Sequence, residues 1–107
     1  CFNYLDIKSF VPAAAQGIIA IESAENSPVN ELLEKINHSE TFTCFMTERK
    51  VMELLEADCH QAVGAYSFIT DDKITIYGFI GESSVKCVTE NKENFSLAAE
   101  KLAGELK

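Results

Sequence analysis

Apolar and polar residues recur with two different periods along this chain, and the period changes near its middle. In residues 29–36 the apolar side chains fall at i, i+3, i+4 and i+7, which predicts an amphipathic helix. Ser27 and Pro28 precede it, and they suit an N-cap and a first helical position. A second helix is predicted from a cap at Ser39 to about residue 56. Its expected apolar arc consists of Phe42, Phe45, Met46, Met52 and Leu55.

Beyond residue 61 the pattern becomes that of strands. Runs rich in β-branched and aromatic residues predict three strands over residues 62–69, 74–80 and 85–89. Short polar turns over residues 70–73 and 81–84 separate these runs, so neighbouring strands must be antiparallel. Residues 92–106 predict a last helix, and its apolar stripe consists of Phe95, Ala98, Ala99, Leu102 and Leu106.

Residues 18–21, Ile-Ile-Ala-Ile, do not fit this simple order. They predict a short strand buried on both faces, yet no neighbouring segment is placed to pair with it. We therefore expect an α+β fold: a three-stranded antiparallel sheet with helices packed on one face, preceded by this strand. An unpaired strand also predicts some self-association between copies of the chain.

Composition and charge narrow the range of partners. The chain has 107 residues, 47% of them hydrophobic, and a formal net charge of −8. This length suits one domain and is too short for a doubly wound sheet. Without a basic patch, nucleic acid and anionic membrane surfaces are not expected as partners. No run of about 20 apolar residues and no secretory signal is visible, so we expect a cytoplasmic protein.

The cysteines give one candidate for chemistry. Cys1, Cys44, Cys59 and Cys87 form no C-x-x-C pair, so no metal site is expected, and reduced thiols are favoured over disulfides. Cys44 and Cys87 are expected to pack in the core. Cys59 lies in a polar loop, where functional residues concentrate, although an ordinary half-buried loop cysteine is the simpler interpretation.

The surroundings of Cys59 do not favour an independent nucleophile. A predicted helix C-terminus and two acidic residues precede it, and both disfavour a thiolate. His60 follows directly, but a Cys–His dyad requires proximity in space rather than in sequence. These arguments disfavour a small cysteine-dependent hydrolase.

Arg49, the single arginine beside eight lysines, has two interpretations. It is either a surface residue paired with Glu53 or Glu48 on its own helix, or a clamp for a carboxylate or phosphate, whose geometry its guanidinium matches. His38 is expected to end the first helix. Gln16 and Gly17 are expected in a loop that bends into the first strand.

Two separated motifs resemble the porphobilinogen deaminase (hydroxymethylbilane synthase) family. The first is V-P-A-A-A-Q-G-I-I-A-I-E at residues 11–22, similar to the family pattern P-A-x-x-Q-G-x-x-x-I-E. The second is T-E-R at residues 47–49 followed by L-L-E-A-D-C-H-Q-A-V-G-A at residues 54–65, similar to the family stretch E-R … L-E-G-G-C-x-x-P-I-G. Their order and spacing match, and the similarity runs from about residue 10 to the C-terminus.

The resemblance implies a function and a set of site residues. The family is a transferase of tetrapyrrole (heme) biosynthesis that condenses four porphobilinogens into hydroxymethylbilane on a dipyrromethane cofactor. The match implies that Cys59 carries this cofactor covalently, that Arg49 serves carboxylates of the pyrrole chain, and that Gln16 and Gly17 line the cofactor cleft. No catalytic residue of the family falls within this stretch, and no metal is implied.

The resemblance also implies how the chain is divided. Residues 1–26 would be the end of the body formed by domains 1 and 2, with the first strand belonging to a sheet of domain 1 in the full enzyme. Residues 27–107 would be the C-terminal, cofactor-carrying domain. We expect such a fragment to be inactive by itself and to work with domains 1 and 2, porphobilinogen and the growing pyrrole chain. A non-catalytic α+β regulatory or interaction module remains the alternative.

Three departures from the family pattern accompany the match. Ala57 and Asp58 stand where the family has Gly-Gly, and Ala62 replaces its proline. Ser23 and Ala24 stand where an arginine commonly follows the I-E pair. The first two departures bear on the geometry of the cofactor loop, and the third on its contact with anions.

Overall fold

The structure, a computed structural model, describes residues 6–7, 9–55 and 62–106. Three helices and three strands are found in these residues, and they form an α+β domain, which confirms the predicted fold class. In chain order the elements are α1 (Asn30–Ile36), α2 (Ser39–Leu54), β1 (Val63–Thr70), β2 (Lys73–Ile80), β3 (Lys86–Asn91) and α3 (Phe95–Leu106). A short 3₁₀ turn, Lys92–Asn94, leads into α3.

The three strands form a meander in the order β1-β2-β3, with both pairs antiparallel. The β1–β2 register runs from Val63 opposite Ile80 to Thr70 opposite Lys73. Asp71 and Asp72 make the two-residue turn, and both have positive φ, +53° and +62°. Positive φ at both turn positions matches the right-handed twist of the flanking strands, so the turn fixes this register.

The core lies between one face of the sheet and helices α2 and α3. Ala65, Ile74 and Ile76 face it from the sheet and are fully buried. The predicted stripe of α3 is confirmed, with Leu102 fully buried at its centre. The complete set of buried core residues is Val51, Leu55, Ala65, Ile74, Ile76, Ala98, Ala99, Leu102, Ala103 and Leu106.

Residues 18–21 do not form the predicted buried strand in this chain. Ile19 is 90% exposed and Ile21 59% exposed, and the segment has no strand assignment. A strand requires a partner for its backbone N–H and C=O groups, and the described sheet offers none to these residues. The apolar pattern alone was therefore not sufficient to form a strand.

Helix α1 differs from its prediction in where it begins and in what it contacts. It begins at Asn30 rather than Pro28, and Ser27 Oγ accepts a hydrogen bond from the Val29 amide at 3.3 Å. Its apolar stripe is not buried, since Leu32 and Ile36 are 62% and 61% exposed. Of the three helices in the described residues, only α2 and α3 therefore pack on the sheet.

The start of α2 corrects the prediction for His38. This residue does not end the first helix; it is the N-cap of α2, and its Nδ1 accepts a hydrogen bond from the Thr41 amide at 3.2 Å. The expected cap, Ser39, is the first residue inside the helix. An imidazole nitrogen can satisfy an amide at a helix start as a hydroxyl does.

The apolar arc predicted for α2 is rotated relative to the face that is buried. Phe42 and Met46 are 52% and 38% exposed, whereas Thr47, Glu48 and Val51 are buried. Cys44 is partly buried against the core, as expected, but Cys87 is exposed on β3 and its predicted core position is wrong. None of the described helices is long and apolar enough to cross a bilayer.

Two glycines predict opposite responses to an added methyl group. At Gly64 on β1, a Cβ would clash with Phe79 Cε1 and would lie 2.7 Å from the Val11 carbonyl oxygen. At Gly104 on α3, nothing apart from its chain neighbours and the adjacent turns of its own helix backbone lies within 4 Å of it. We expect Gly64→Ala to lower the free energy of unfolding by ~1–3 kcal/mol through overpacking. Gly104→Ala should raise it by ~0.5–1 kcal/mol through helix propensity. Urea denaturation measures both, and equal effects of the two substitutions would contradict the packing described here.

Candidate functional site

Glu48 is a buried carboxylate on the core-facing side of α2. Its side chain is held there because residues 44, 48, 51 and 55 follow one another at helical spacing toward the sheet. The residue is only 4% exposed. A buried carboxylate must find hydrogen-bond donors to offset its lost hydration, so its partners identify what this position does.

The free edge of β1 supplies one group of these donors. Glu48 Oε2 accepts hydrogen bonds from the Ser67 amide at 3.1 Å and from the Ser67 hydroxyl at 2.7 Å. Two residues earlier, the Ala65 amide donates to the Pro12 carbonyl oxygen at 3.0 Å. Amides two residues apart in an antiparallel strand point to the same side. A carboxylate and a loop carbonyl therefore occupy the edge where another strand would otherwise pair.

The loop over residues 12–17 supplies the remaining donor. The Ala15 amide donates to Glu48 Oε1 at 2.9 Å. Ala15 has φ of +63°, a left-handed conformation that is unfavourable for a residue with a Cβ. Strained backbone of this kind concentrates at functional sites, and here the hydrogen bond to Glu48 holds it.

Gln16 and Gly17 lie at the exposed end of this loop. Gln16 Oε1 accepts a hydrogen bond from the Ala13 amide at 3.2 Å, so its NH₂ group is the part directed to other partners. Gly17 has φ of +86°, and no atom lies within 4 Å of a Cβ built on it. A residue with a side chain would be strained here and would cover the backbone. The two residues therefore present an amide and bare backbone on an open surface.

A cavity of about 270 Å³ lies where this loop, the start of α2 and the edge of β1 meet. Its lining combines apolar side chains with two carboxylates, those of Glu40 and Glu48. The lining residues are Gln16, Ile18, His38, Glu40, Thr41, Cys44, Glu48, Tyr66, Ser67, Phe68 and Ile69. The two carboxylates make the cavity unsuited to an anionic group, so an acidic ligand would meet this chain at the exposed loop.

The Cys44 thiol lies in the same cavity and is held in its neutral form. Burial raises the pKa of this thiol above its usual value, and the nearby carboxylates of Glu48 and Glu40 raise it further. A hydrogen bond with Ser67 opposes the shift without cancelling it. A thiol whose pKa is raised is a poor nucleophile at neutral pH.

Arg49 adjoins Glu48 in sequence but lies on the exposed side of α2. Its Nε is 3.6 Å from Glu53 Oε1, and both side chains are more than half exposed. Its guanidinium carbon lies 6.0 Å from the centroid of the Phe45 ring. The surface ion pair expected from the sequence is thus present. Such a pair is worth at most about 1 kcal/mol, so it leaves the guanidinium able to exchange Glu53 for another anion.

The structure brings together some of the residues predicted for the site. Gln16 and Gly17 share one loop that is tied to α2 and β1, whereas Arg49 does not line the cavity. Cys59 falls outside the described residues. Among the described residues no group of three or more His, Cys, Asp or Glu side chains could hold a metal ion.

Glu48 is the residue that the sequence interpretation missed. Its signal was present, since Cys44, Glu48, Val51 and Leu55 form a stripe at i, i+4, i+7 and i+11. The other residues of this stripe are uncharged. A glutamate in such a stripe indicates a carboxylate that is buried and hydrogen-bonded to protein groups, rather than one exposed to solvent. Phe42 and Met46 suggested a different face, and both proved largely exposed.

Comparison with known proteins shows similarity to an enzyme family. Residues 42–106 match the family model described as porphobilinogen deaminase, C-terminal domain. A porphobilinogen deaminase from Clostridium botulinum (strain Hall) is 40% identical over 76 residues, which cover 71% of this chain and 26% of that protein. Another, from Alkaliphilus metalliredigens, is 34% identical over 84% of this chain and 29% of its own length.

A longer alignment extends into the loop of the candidate site. The porphobilinogen deaminase of Clostridium botulinum (strain Eklund 17B) is 35% identical over 109 aligned positions, which cover 95% of this chain and 38% of that protein. The chain thus spans between about a quarter and two fifths of the length of these curated relatives.

The different environments of the two described cysteines predict different rates of alkylation. At pH 8, we expect iodoacetamide to modify Cys44 at least about tenfold more slowly than Cys87, because Cys44 is partly buried and its pKa is raised. Peptide mass mapping after timed quenching measures each rate separately. In 6 M urea the two rates should converge. Equal rates in the native protein would contradict the described setting of Cys44.

Proposed function

Because this chain belongs to the porphobilinogen deaminase family, through its C-terminal domain, we propose that it carries the cofactor of that enzyme. The whole enzyme would condense four porphobilinogens into hydroxymethylbilane and release ammonia. In this proposal residues 27–107 are the cofactor-carrying domain, and residues 1–26 are the end of the body formed by domains 1 and 2. The protein would act in the cytoplasm.

One juxtaposition supports the assignment of the site most directly. The loop that holds Gln16 is hydrogen-bonded through the Pro12 carbonyl to the Ala65 amide, at 3.0 Å. Ala65 follows Cys59 by six residues. The two motifs of the family resemblance, separate in sequence, therefore meet at the start of β1. A cofactor carried by Cys59 would be anchored beside the loop expected to line its cleft.

The residues present suit a dipyrromethane group with acidic side chains. The Cys59 thiol would form the thioether, and the group would supply the primer to which porphobilinogen units are added. The Gln16 NH₂ group offers neutral donors, and Gly17 leaves its backbone open to approach. Arg49 would offer a guanidinium on the exposed side of α2. Their contribution is to hold and orient the bound group, which lowers the entropic cost of each addition.

The covalent site is tested by intact-mass analysis of the full-length enzyme that contains this chain. We expect the wild type to carry a two-pyrrole adduct that Cys59→Ala lacks, with loss of porphobilinogen consumption. Cys87→Ala removes an exposed thiol on β3 and is the matched control, so it should keep both adduct and activity. An active wild type without the adduct would contradict the proposal.

The role of Arg49 is tested by comparing the two members of its ion pair. We expect Arg49→Gln to lower kcat/KM for porphobilinogen by roughly 10–100-fold, the value of a lost charged hydrogen bond. Glu53→Gln leaves the guanidinium in place and should change kcat/KM by less than about threefold. If steady-state kinetics gave the same small effect for both, Arg49 would be only a surface ion-pair residue.

A further inference from the structure

The Glu48 carboxylate joins three segments that are far apart in sequence. It projects from α2, accepts from the Ala15 amide through Oε1, and accepts from Ser67 on β1 through Oε2. Each carboxylate oxygen therefore accepts hydrogen bonds from a different segment. Shortening or neutralising this side chain would leave the bond from the Ala65 amide to the Pro12 carbonyl as the remaining hydrogen bond between the loop and the sheet edge.

The loop has few other ties at its exposed end. Its remaining hydrogen bonds over residues 13–17 are local: the Gln16 amide donates to the Ala13 carbonyl, the Ala13 amide to Gln16 Oε1, and the Ile18 amide to the Ala15 carbonyl. Within the described part of the chain, the bond from Ala15 to Glu48 is the one that connects these residues to another element. The positive φ of Ala15 is unfavourable, so without this bond the backbone would relax toward other conformations.

We propose that Glu48 is a positioning residue: it fixes the strained loop on α2 and β1 so that Gln16 and Gly17 are held in place for the cofactor. This inference rests on the proposed function, in which those two residues line the cofactor cleft. Glu48 does not itself touch the pyrrole chain, since it is buried and its oxygens are occupied. Its effect on the reaction passes through Gln16.

Glu48→Gln is the sharpest perturbation of this arrangement. The substitution keeps the shape of the side chain but replaces one acceptor oxygen by an NH₂ group. Whichever way that group points, one backbone amide, that of Ala15 or that of Ser67, loses its acceptor, because two N–H donors cannot bond each other. The negative charge that strengthens both bonds is lost as well, while the packing of α2 is nearly unchanged.

The experiment is a double-mutant cycle in the full-length holoenzyme, using Gln16→Ala, Glu48→Gln and both together. We expect Glu48→Gln to lower kcat/KM at least about tenfold when Gln16 is present and by less than about threefold when it is absent, because residues that act as a unit are not additive. A purely structural role would give the same factor in both backgrounds, and that result would overturn the proposal.

A second measurement does not depend on activity. Hydrogen exchange followed by mass spectrometry should show faster exchange, by at least about fivefold, in the peptide that spans residues 12–18 of Glu48→Gln, because the Ala15 amide loses either its acceptor or the charge that strengthens its bond. Glu100→Gln, on the exposed face of α3, is the matched control and should leave exchange in this peptide unchanged. Unchanged exchange in Glu48→Gln would also overturn the proposal.

Two further variants separate positioning from loss of stability. Leu102→Ala removes a fully buried side chain of α3 from the core and leaves Glu48 and the loop unchanged. It should lower the melting temperature without changing the kcat/KM of the folded enzyme. An equal loss of kcat/KM in this variant would refute positioning. If Glu48→Gln does not fold, Glu48→Asp replaces it in the same cycle and is judged by the same criteria.

Different experimental results would refute this inference and the proposed function. A wild-type enzyme without adduct and without porphobilinogen consumption refutes the proposed function. The exchange measurement would still show whether Glu48 holds the loop. A wild type with adduct and activity, combined with an additive cycle, refutes the positioning role alone.

Discussion

The structure depends on providing hydrogen-bond acceptors for the backbone amides at the free edge of β1. An edge strand presents unpaired amides that must bond something, and in this chain a loop carbonyl and a buried carboxylate accept from them. Glu48 reaches this edge only because α2 packs across the same side of the sheet. These three features therefore depend on one another: the burial of α2, the covered edge of β1 and the conformation of the loop over residues 12–17. A change in one member alters the donors available to the others.

Much of the fold follows from sequence because its periodicities are local. The two hairpins and the stripe of α3 were predictable, since strand alternation, turn residues and helical spacing determine them over short distances. The exposure of α1 and of residues 18–21 was not predictable, because their apolar faces require a partner that the described residues do not contain. The orientation of α2 was ambiguous because Phe42 and Met46 indicate a different buried face from the narrower stripe through Val51. The face that is buried also contains a carboxylate, that of Glu48, which the hydrophobic pattern does not reveal.

In the candidate site, too, the features set by local sequence could be predicted, whereas the contacts between distant residues could not. Gln16 and Gly17 could be singled out from their motif, and the structure places them on one strained loop. That this loop meets β1 could not be inferred, because the contact joins Pro12 to Ala65, 53 residues later, and Ala15 to a side chain 33 residues away. The charge of the chain adds a physical limit. With Glu40 and Glu48 in the cavity and Arg49 exposed, the cations for a polyanionic pyrrole chain would come largely from the other domains in the proposed enzyme.

The long register between β1 and β2 has a mechanical consequence. Cys59 precedes Val63, the first residue of β1, by four residues in the sequence, and β1 is paired with β2 over eight residues, from Val63 to Thr70. Interstrand hydrogen bonds in an antiparallel pair lie perpendicular to the strands. A force applied at the start of β1 and directed along the strand would load these bonds together in shear, rather than one after another as in unzipping. A tether joined at that point would therefore pull against the most resistant direction of the sheet.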